Sequence, residues 1–396
     1  MNKIYFISCF FVPMGRSESN RAFMAKYLCE EGWELEVVAG ENYKSLLLSF
    51  QEDPSLLNVI PKNLKIHRFN GRPGWISYDL KKLLNISNNV RWHWVKEAEK
   101  SLQLSEKGII FAVVPQLDDA VLGYRLATKY DCPLVLYYVD EDVEVGRETY
   151  DRADLIVCVT QHIKEALLKR YGPKNILVAE NGYLQEMKIP GEVPSRDALR
   201  LVYAGSMTFR TGPEIFAQAY NLLAKKEPEL AQKLHLDFYG PSNYYSFLFL
   251  KNYINQNVQF KGFLPIQELM KTLPNYDVAL ASTRGDISFT SKIYQYLNAG
   301  LPILTSSDDN CLKKFIEEKQ IGFAASRDIP QLANKLKEIV EHRDQILSWR
   351  RNVIAIKSQY SFKNRIKEIS QALRQKFEGS KGFLSSQTLG GTTQKP

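Results

Sequence analysis

Short apolar runs alternate with stretches that are apolar at every third or fourth position, almost from one end of the chain to the other. Apolar runs at 4–8, 35–39, 65–69, 109–114, 134–138, 155–159 and 176–179 predict strands. Helical spacing recurs between several of them, at 19–31, 119–129 and 161–170. Continuous apolar strands joined through helices predict a parallel sheet covered on both faces. The stretch "KIPGEVPSRDALR", 188–200, interrupts the series with two prolines, a glycine and several charges, and reads as a linker. A second series follows, with strands at 201–204, 236–239, 258–260, 278–281 and 303–305 and helices that include 213–224 and 267–273. The expected fold class is α/β, with two doubly wound Rossmann-like domains, 1–190 and 198–360, facing one another. Such sheets take ligands beyond the carboxyl ends of their strands, so the site is expected between the halves.

The last helical pattern has the clearest stripe. Phe362, Ile366, Ile369, Leu373 and Phe377 share one face, with Lys, Arg and Gln on the other. A helix over 361–378 is therefore expected to dock on the rest by that stripe. The remaining 379–396 is polar, rich in Gly, Ser and Thr, and aperiodic, so it is expected to be disordered.

"TSKIYQYLNAGLPIL", 290–304, raises a chemical question. Thr290 and Ser291 suit a helix N-cap, Ile293 and Leu297 share a buried face, Gly300 ends the helix and Pro302 forbids its continuation. Lys292 and Gln295 lie three apart at the start of that helix. A cation in a first turn opposes the helix dipole unless an anion sits there too. A capped helix with a solvated lysine is the alternative.

Composition changes this picture little. The 396 residues are 44% hydrophobic and 24% charged, which fits a globular protein of two domains and excludes disordered or fibrous classes. The net charge of +8 favours phosphates, anionic lipid heads or nucleic acid without choosing among them. No nucleic-acid module is recognisable, so no nucleic-acid partner is expected. Five cysteines, Cys9, Cys29, Cys132, Cys158 and Cys311, have no metal-ligand spacing and are expected as reduced, buried thiols. The opening "MNKIYFISCFFVPMG" has no small-residue cleavage site after its apolar run and reads as a buried first strand rather than a leader. No stretch approaches the roughly 20 apolar residues of a spanning helix. A cytoplasmic protein is expected, with "KKLLNISNNVRWHWVKEAEK" as a candidate contact with the inner face of a membrane through Arg91, Trp92, Trp94 and Lys96. Burial of those tryptophans in the core is the competing expectation.

In order, "LRLVYAGSMTFRTGPEIFAQAY", "LDFYGPSN", "VQFKGFLPIQELMKTLPNYDVALASTR" and "TSKIYQYLNAGLPILTSS" resemble the donor-binding domain of GT-B glycosyltransferases, closest to glycosyltransferase family 4. "IYFISCFFVPMGRSESNRAFMAKYLCEEGWELEVVAG" and "RADLIVCVTQHIKEALLKRYG" resemble the opening and the end of that family's first domain. The resemblance covers roughly 1–378. It implies a nucleotide sugar held between the domains, a final helix crossing back onto the first domain, and transfer with retention and without a metal or other cofactor.

Carried over residue by residue, the resemblance assigns the leaving diphosphate to Ser288, Ser291 and Lys292 at the helix start, and to Arg210 in "GSMTFRTG" beyond the turn at Gly205. It assigns the base to backbone after Gly262, at Phe263 and Leu264, and further donor contacts to Gly240, Gly15 and Arg16. Ser206 and Thr211 stand where the family usually has basic residues. Ile287 and Gln295 replace its usual pair of glutamates, eight apart; Gln295 can still bond a ribose hydroxyl, and Asp286 is a neighbouring carboxylate. Asp140, at a strand's carboxyl end, is a candidate acceptor ligand or base. Asp140, Glu141 and Asp142 form an acidic loop rather than a metal site, and His162 reads as a helix-start residue without a role. The resemblance implies a nucleotide-sugar-dependent glycosyltransferase acting on a saccharide or lipid-linked acceptor in bacterial surface polysaccharide or glycoconjugate synthesis. The missing glutamates give the alternative, a non-catalytic GT-B subunit that binds an acceptor or steadies a partner. A GT-B epimerase would need acid/base carboxylates and histidine in the cleft, a set the sequence does not assemble.

Overall fold

The computed structural model describes residues 1–13, 18–41, 52–69, 92–114, 117–139, 143–190, 197–208, 211–241, 251–284, 290–308 and 310–378. Its first half is built on strands β1 (Lys3–Ile7), β2 (Glu34–Gly40), β3 (Lys65–Phe69), β4 (Ile109–Val114), β5 (Leu134–Tyr138), β6 (Leu155–Cys158) and β7 (Ile176–Val178). The second half contains β8 (Leu199–Ala204), β9 (Leu234–Tyr239), β10 (Val258–Gly262), β11 (Val278–Thr283), β12 (Ile303–Ser307) and β13 (Gly322–Ala325). Among the described residues, the helices of the first half are α1 (Glu18–Glu30), α2 (Trp92–Ser101), α3 (Leu117–Lys129), α4 (Arg147–Arg152) and α5 (Gln161–Tyr171). Those of the second are α6 (Glu214–Lys226), α7 (Pro228–Ala231), α8 (Ile266–Thr272), α9 (Ser291–Asn298), α10 (Asn310–Glu318), α11 (Ile329–Glu341), α12 (Arg343–Ile356) and α13 (Phe362–Phe377).

Both sheets are parallel, in the orders β3-β2-β1-β4-β5-β6-β7 and β10-β9-β8-β11-β12-β13. Each reverses direction at its first strand, β1 or β8, and that reversal opens the crevice of a doubly wound fold. The central strands are apolar on both sides because helices cover both faces: β1, β4 and β5 are buried throughout. β13, absent from the sequence expectation, is a short outer strand beginning at Gly322, an added Cβ at which would lie 1.9 Å from the Ile303 carbonyl oxygen.

One continuous apolar core runs from the first sheet through Leu184 and Met187 to the α9 side of the second sheet. A separate core joins the opposite face of the second sheet to α6 and α11. The chain crosses back through α13, whose Phe362, Ile366, Ile369 and Leu373 are buried, and Trp33 Nε1 donates to Ser370 Oγ at 2.8 Å.

Two expectations are corrected. Trp94 is fully buried on α2, its indole in van der Waals reach of Gly40 of β2, so it does not face a membrane. Lys96, two residues on, is exposed, whereas Arg91 and the side chain of Trp92 lie outside the described residues. The cysteines are free, but only Cys9, Cys132 and Cys158 are buried; Cys29 is half-buried and Cys311 is exposed on α10. Among the described residues no helix is long and apolar enough to cross a membrane. The tail from 379 lies outside them.

Candidate functional site

The ends of β8, β9 and β10 carry Gly205, Gly240 and Gly262 at successive positions across the sheet. Gly205 N–H donates to the Tyr239 carbonyl and Gly240 N–H to that of Gly262. A Cβ added to Gly240 would lie 2.1 Å from the Gly205 carbonyl oxygen, so the two backbones meet as only glycine allows. A Cβ at Gly205 would sit 3.1 Å from Cε of Lys292, so the bare backbone there leaves the lysine its path. Lys292 Nζ donates to the Tyr203 hydroxyl at 2.8 Å, and that hydroxyl donates to the Ser206 carbonyl at 2.9 Å. The cation thus stands above the mouth of β8.

β8 and β11 pair only through Leu201 and Val202, opposite Val278 and Ala279. Beyond that they part, and Tyr296 of α9 bridges the gap. Its hydroxyl accepts from Ala204 N–H at 2.8 Å and bonds the Leu280 carbonyl at 3.1 Å. Burial pushes the phenol's pKa up, so it stays neutral. This anchor fixes the start of α9 against the cleft. Thr290 occupies the N-cap with extended backbone, but its hydroxyl makes no capping bond, unlike the sequence expectation. At the other end Gly300 takes φ +70° and Leu301 N–H reaches the Tyr296 carbonyl, the closure typical of a glycine-terminated helix.

Between the halves lies a cleft of about 410 Å³. Gly205, Ser206, Gly240, Phe263, Leu264, Ser291, Lys292 and Gln295 all line it; these are all the expected site residues that the structure describes. Gly15, Arg16, Asp140, Arg210 and Ser288 lie outside the described residues, as do Glu141, Asp142, Asp286 and Ile287. Gln295 is 8% exposed, and its Oε1 is buried without a hydrogen-bond partner. A buried amide oxygen left unmatched is costly, so such an atom at a cleft points to a ligand that completes it.

Other lining residues escaped the sequence reading. Ser19 and Asn20, in the first turn of α1, and Asp53 bring the first half to the cleft. Thr211 ties the 205–212 loop, its Oγ1 donating to the Ser206 carbonyl at 2.8 Å, and so has a structural role where the family has a cation. Tyr239 lines the cleft and its hydroxyl lies 3.1 Å from that of Tyr276, which donates to Asp237 at 2.7 Å. Burial and these neighbours push the Tyr276 phenol's pKa up, keeping it a donor. Behind the loop, the Arg327 and Arg284 guanidiniums crowd Gly212, which takes φ +45°; Arg284 also pairs with buried Glu214 at 2.7 Å. Isolated arginines in sequence gave no sign of that convergence. His162 is exposed on α5 and does not line the cleft. Among the described residues no group of three or more His, Cys, Asp or Glu is placed to hold a metal.

Residues 198–342 match the family model described as glycosyl transferases group 1. That segment is similar to the group, and the chain as a whole has the GT-B fold. Its fold is similar over nearly the whole chain to HepE of Anabaena, solved in complex with UDP and glucose: 17% identity, TM-score 0.70, covering 94% of this chain and 99% of that one. It is similar also to sucrose-phosphate synthase from Thermosynechococcus elongatus, at 15% identity and TM-score 0.71, covering 96% and 100%. WaaG, a glycosyltransferase involved in lipopolysaccharide biosynthesis, matches at 14% identity and TM-score 0.61, covering 93% and 99%. At such identities the neighbours establish the fold of this chain and no more. No curated protein matches it.

Proposed function

We propose that the chain transfers a sugar from a UDP-sugar to a saccharide or lipid-linked acceptor, with retention, in the synthesis of a bacterial surface polysaccharide or glycoconjugate. The observation that carries this is the convergence on one cleft of a lysine beside two touching glycine turns and a buried glutamine oxygen with no partner. The group 1 match and the UDP in HepE support the choice of donor.

The base lies against Phe263 and Leu264, the ribose against Gln295, and the diphosphate between Lys292 and the Gly205 turn. The bond from the sugar C1 to the diphosphate oxygen breaks and its electron pair leaves with the diphosphate. The acceptor hydroxyl oxygen bonds C1 from the same face and gives its proton to the departing oxygen. Lys292, held by the Tyr203 hydroxyl, meets the charge as it grows and needs no reorganisation; charge fixed in advance in this way supplies much of the rate enhancement of many enzymes. Arg210 and Asp140 remain proposed for the leaving group and the acceptor on sequence alone.

Thermal unfolding with UDP, GDP and their sugars, wild type beside Lys292→Ala, tests the donor site. UDP at 100 times its dissociation constant should stabilise the wild type by about 2.7 kcal/mol, and Lys292→Ala should lose most of that shift. A shift with GDP alone would change the nucleotide. A second reading, a non-catalytic subunit, is favoured by the replacement of both family glutamates by Ile287 and Gln295. It predicts no stabilisation by any of these nucleotides.

A further inference from the structure

Asp53 belongs to the first half, where it caps the 3-10 turn Pro54–Asn58, and it is 1% exposed. Its two carboxylate oxygens serve different halves of the molecule. Oδ1 accepts from the Ser55 amide at 3.0 Å and from the Ser55 hydroxyl at 2.5 Å. Oδ2 accepts at 2.7 Å from the amide of Ile266, the first residue of α8 in the second half. The residue before it, Pro265, has no side chain able to cap α8, so the start of that helix is capped from across the cleft. Ile266 and Leu269 of α8 line the cleft together with Asp53, next to Phe263 and Leu264.

Parting the halves at this lip would strip one carboxylate oxygen of its donor and the first amide of α8 of its acceptor. The bond therefore lasts only while the two halves stay together at this lip. We infer that Asp53 is a positioning residue: it clasps the first domain to the start of α8 and so holds the nearby Phe263 and Leu264 in place at the wall of the cleft for a nucleotide base. The nucleotide part rests on the donor-site reading above; the clasp itself does not.

Two substitutions remove the same bond from opposite ends. Asp53→Ala removes the acceptor. Ile266→Pro removes the donor at a first helical position, where proline is well accepted, after a residue already extended at φ −52° and ψ 146° as a following proline requires. These, the double variant and Asp53→Asn, which keeps one acceptor oxygen, are measured for UDP affinity by calorimetry and for unliganded radius of gyration by small-angle scattering. Each single variant is expected to bind UDP about tenfold more weakly, the double variant no more weakly than the worse single, and Asp53→Asn between them and wild type. The unliganded singles should have a larger radius of gyration than wild type. Losses that multiply in the double variant, or an unchanged radius of gyration, would overturn the clasp. If the wild type binds no nucleotide, the donor-site reading fails and scattering alone decides the clasp.

Discussion

Gln295 stands where the family has a glutamate, and the structure shows what the change leaves behind: a buried amide oxygen with no partner at the wall of the cleft. For folding alone this atom is a liability. Removing it should therefore cost the unliganded protein little, about 1 kcal/mol from lost packing, while the ribose contact proposed for it predicts that UDP binding weakens about tenfold. Calorimetric titration and thermal melts of Gln295→Ala against wild type check both numbers. A large loss of stability with unchanged affinity would make Gln295 a packing residue. Ser206 and Thr211 show the complementary case: they occupy the family's cationic places, yet the Ser206 carbonyl and the Thr211 hydroxyl bond each other to close the loop. The positive charge at this end of the site is supplied by Lys292, which lies 86 positions beyond Ser206 in the sequence and reaches the loop only through the fold.

At the scale of elements, β1, β2 and β3 are joined at one end by a charge cluster far from any ligand. Glu36 of β2 lies 2.9 Å from Lys3 Nζ, 2.7 Å from His67 Nε2 and 3.2 Å from Lys65 Nζ. Burial opposes its charge, but hydrogen bonds from Lys3, His67 and Lys65 outweigh that and hold its pKa down at about 2, from 4.5. A carboxyl lowered on folding stabilises fully above its unfolded pKa and loses that contribution as pH falls through the folded one. Denaturant melts from pH 5 to pH 2 should therefore show on the order of 2 kcal/mol lost, and Glu36→Gln should flatten that stretch of the curve. The twelve strands read from periodicity are all present, each end within two residues, because buried parallel strands announce themselves as apolar runs. β13 was not legible: "GFAA" is four residues at the edge of the sheet, only its last one buried. Trp94 misled for a related reason, since basic neighbours say nothing about which face of α2 the indole occupies. Of the site, the glycine turns and α9 could be read from local sequence. Asp53 and Tyr239 could not, because their partners Ile266 and Tyr276 are set by tertiary contact.

Over the whole molecule the two halves are connected by chain at two crossings, and both are pinned. At the first, Asn298 at the end of α9 accepts from Met187 N–H at 3.1 Å and donates to the Gln185 carbonyl at 2.7 Å, while Tyr27 of α1 donates to Leu184 at 2.5 Å. At the second, Tyr183 N–H donates to the Tyr360 carbonyl and the Tyr183 carbonyl accepts from Phe362 N–H, a bridge opposite Ser361, so that the start of α13 is threaded beside the first crossing. From there α13 lies along α1, with Arg374 over the Trp33 ring and donating to the Glu31 carbonyl at 2.8 Å. The first sheet thus carries a helix that follows the second domain in sequence, and neither half completes its core alone. If that is how the halves cooperate, a cavity under α13 must be felt by both. Ile366→Ala should cost about 2–5 kcal/mol, whereas Lys363→Ala, which breaks the surface pair with Glu30 and a cation contact over the Tyr27 ring, should cost less than about 1 kcal/mol. Differential scanning calorimetry should show the Ile366→Ala transition moved down as a single peak. A split into two peaks, with one left at the wild-type temperature, would mean that the second half stands without α13 and that the shared core does not couple them.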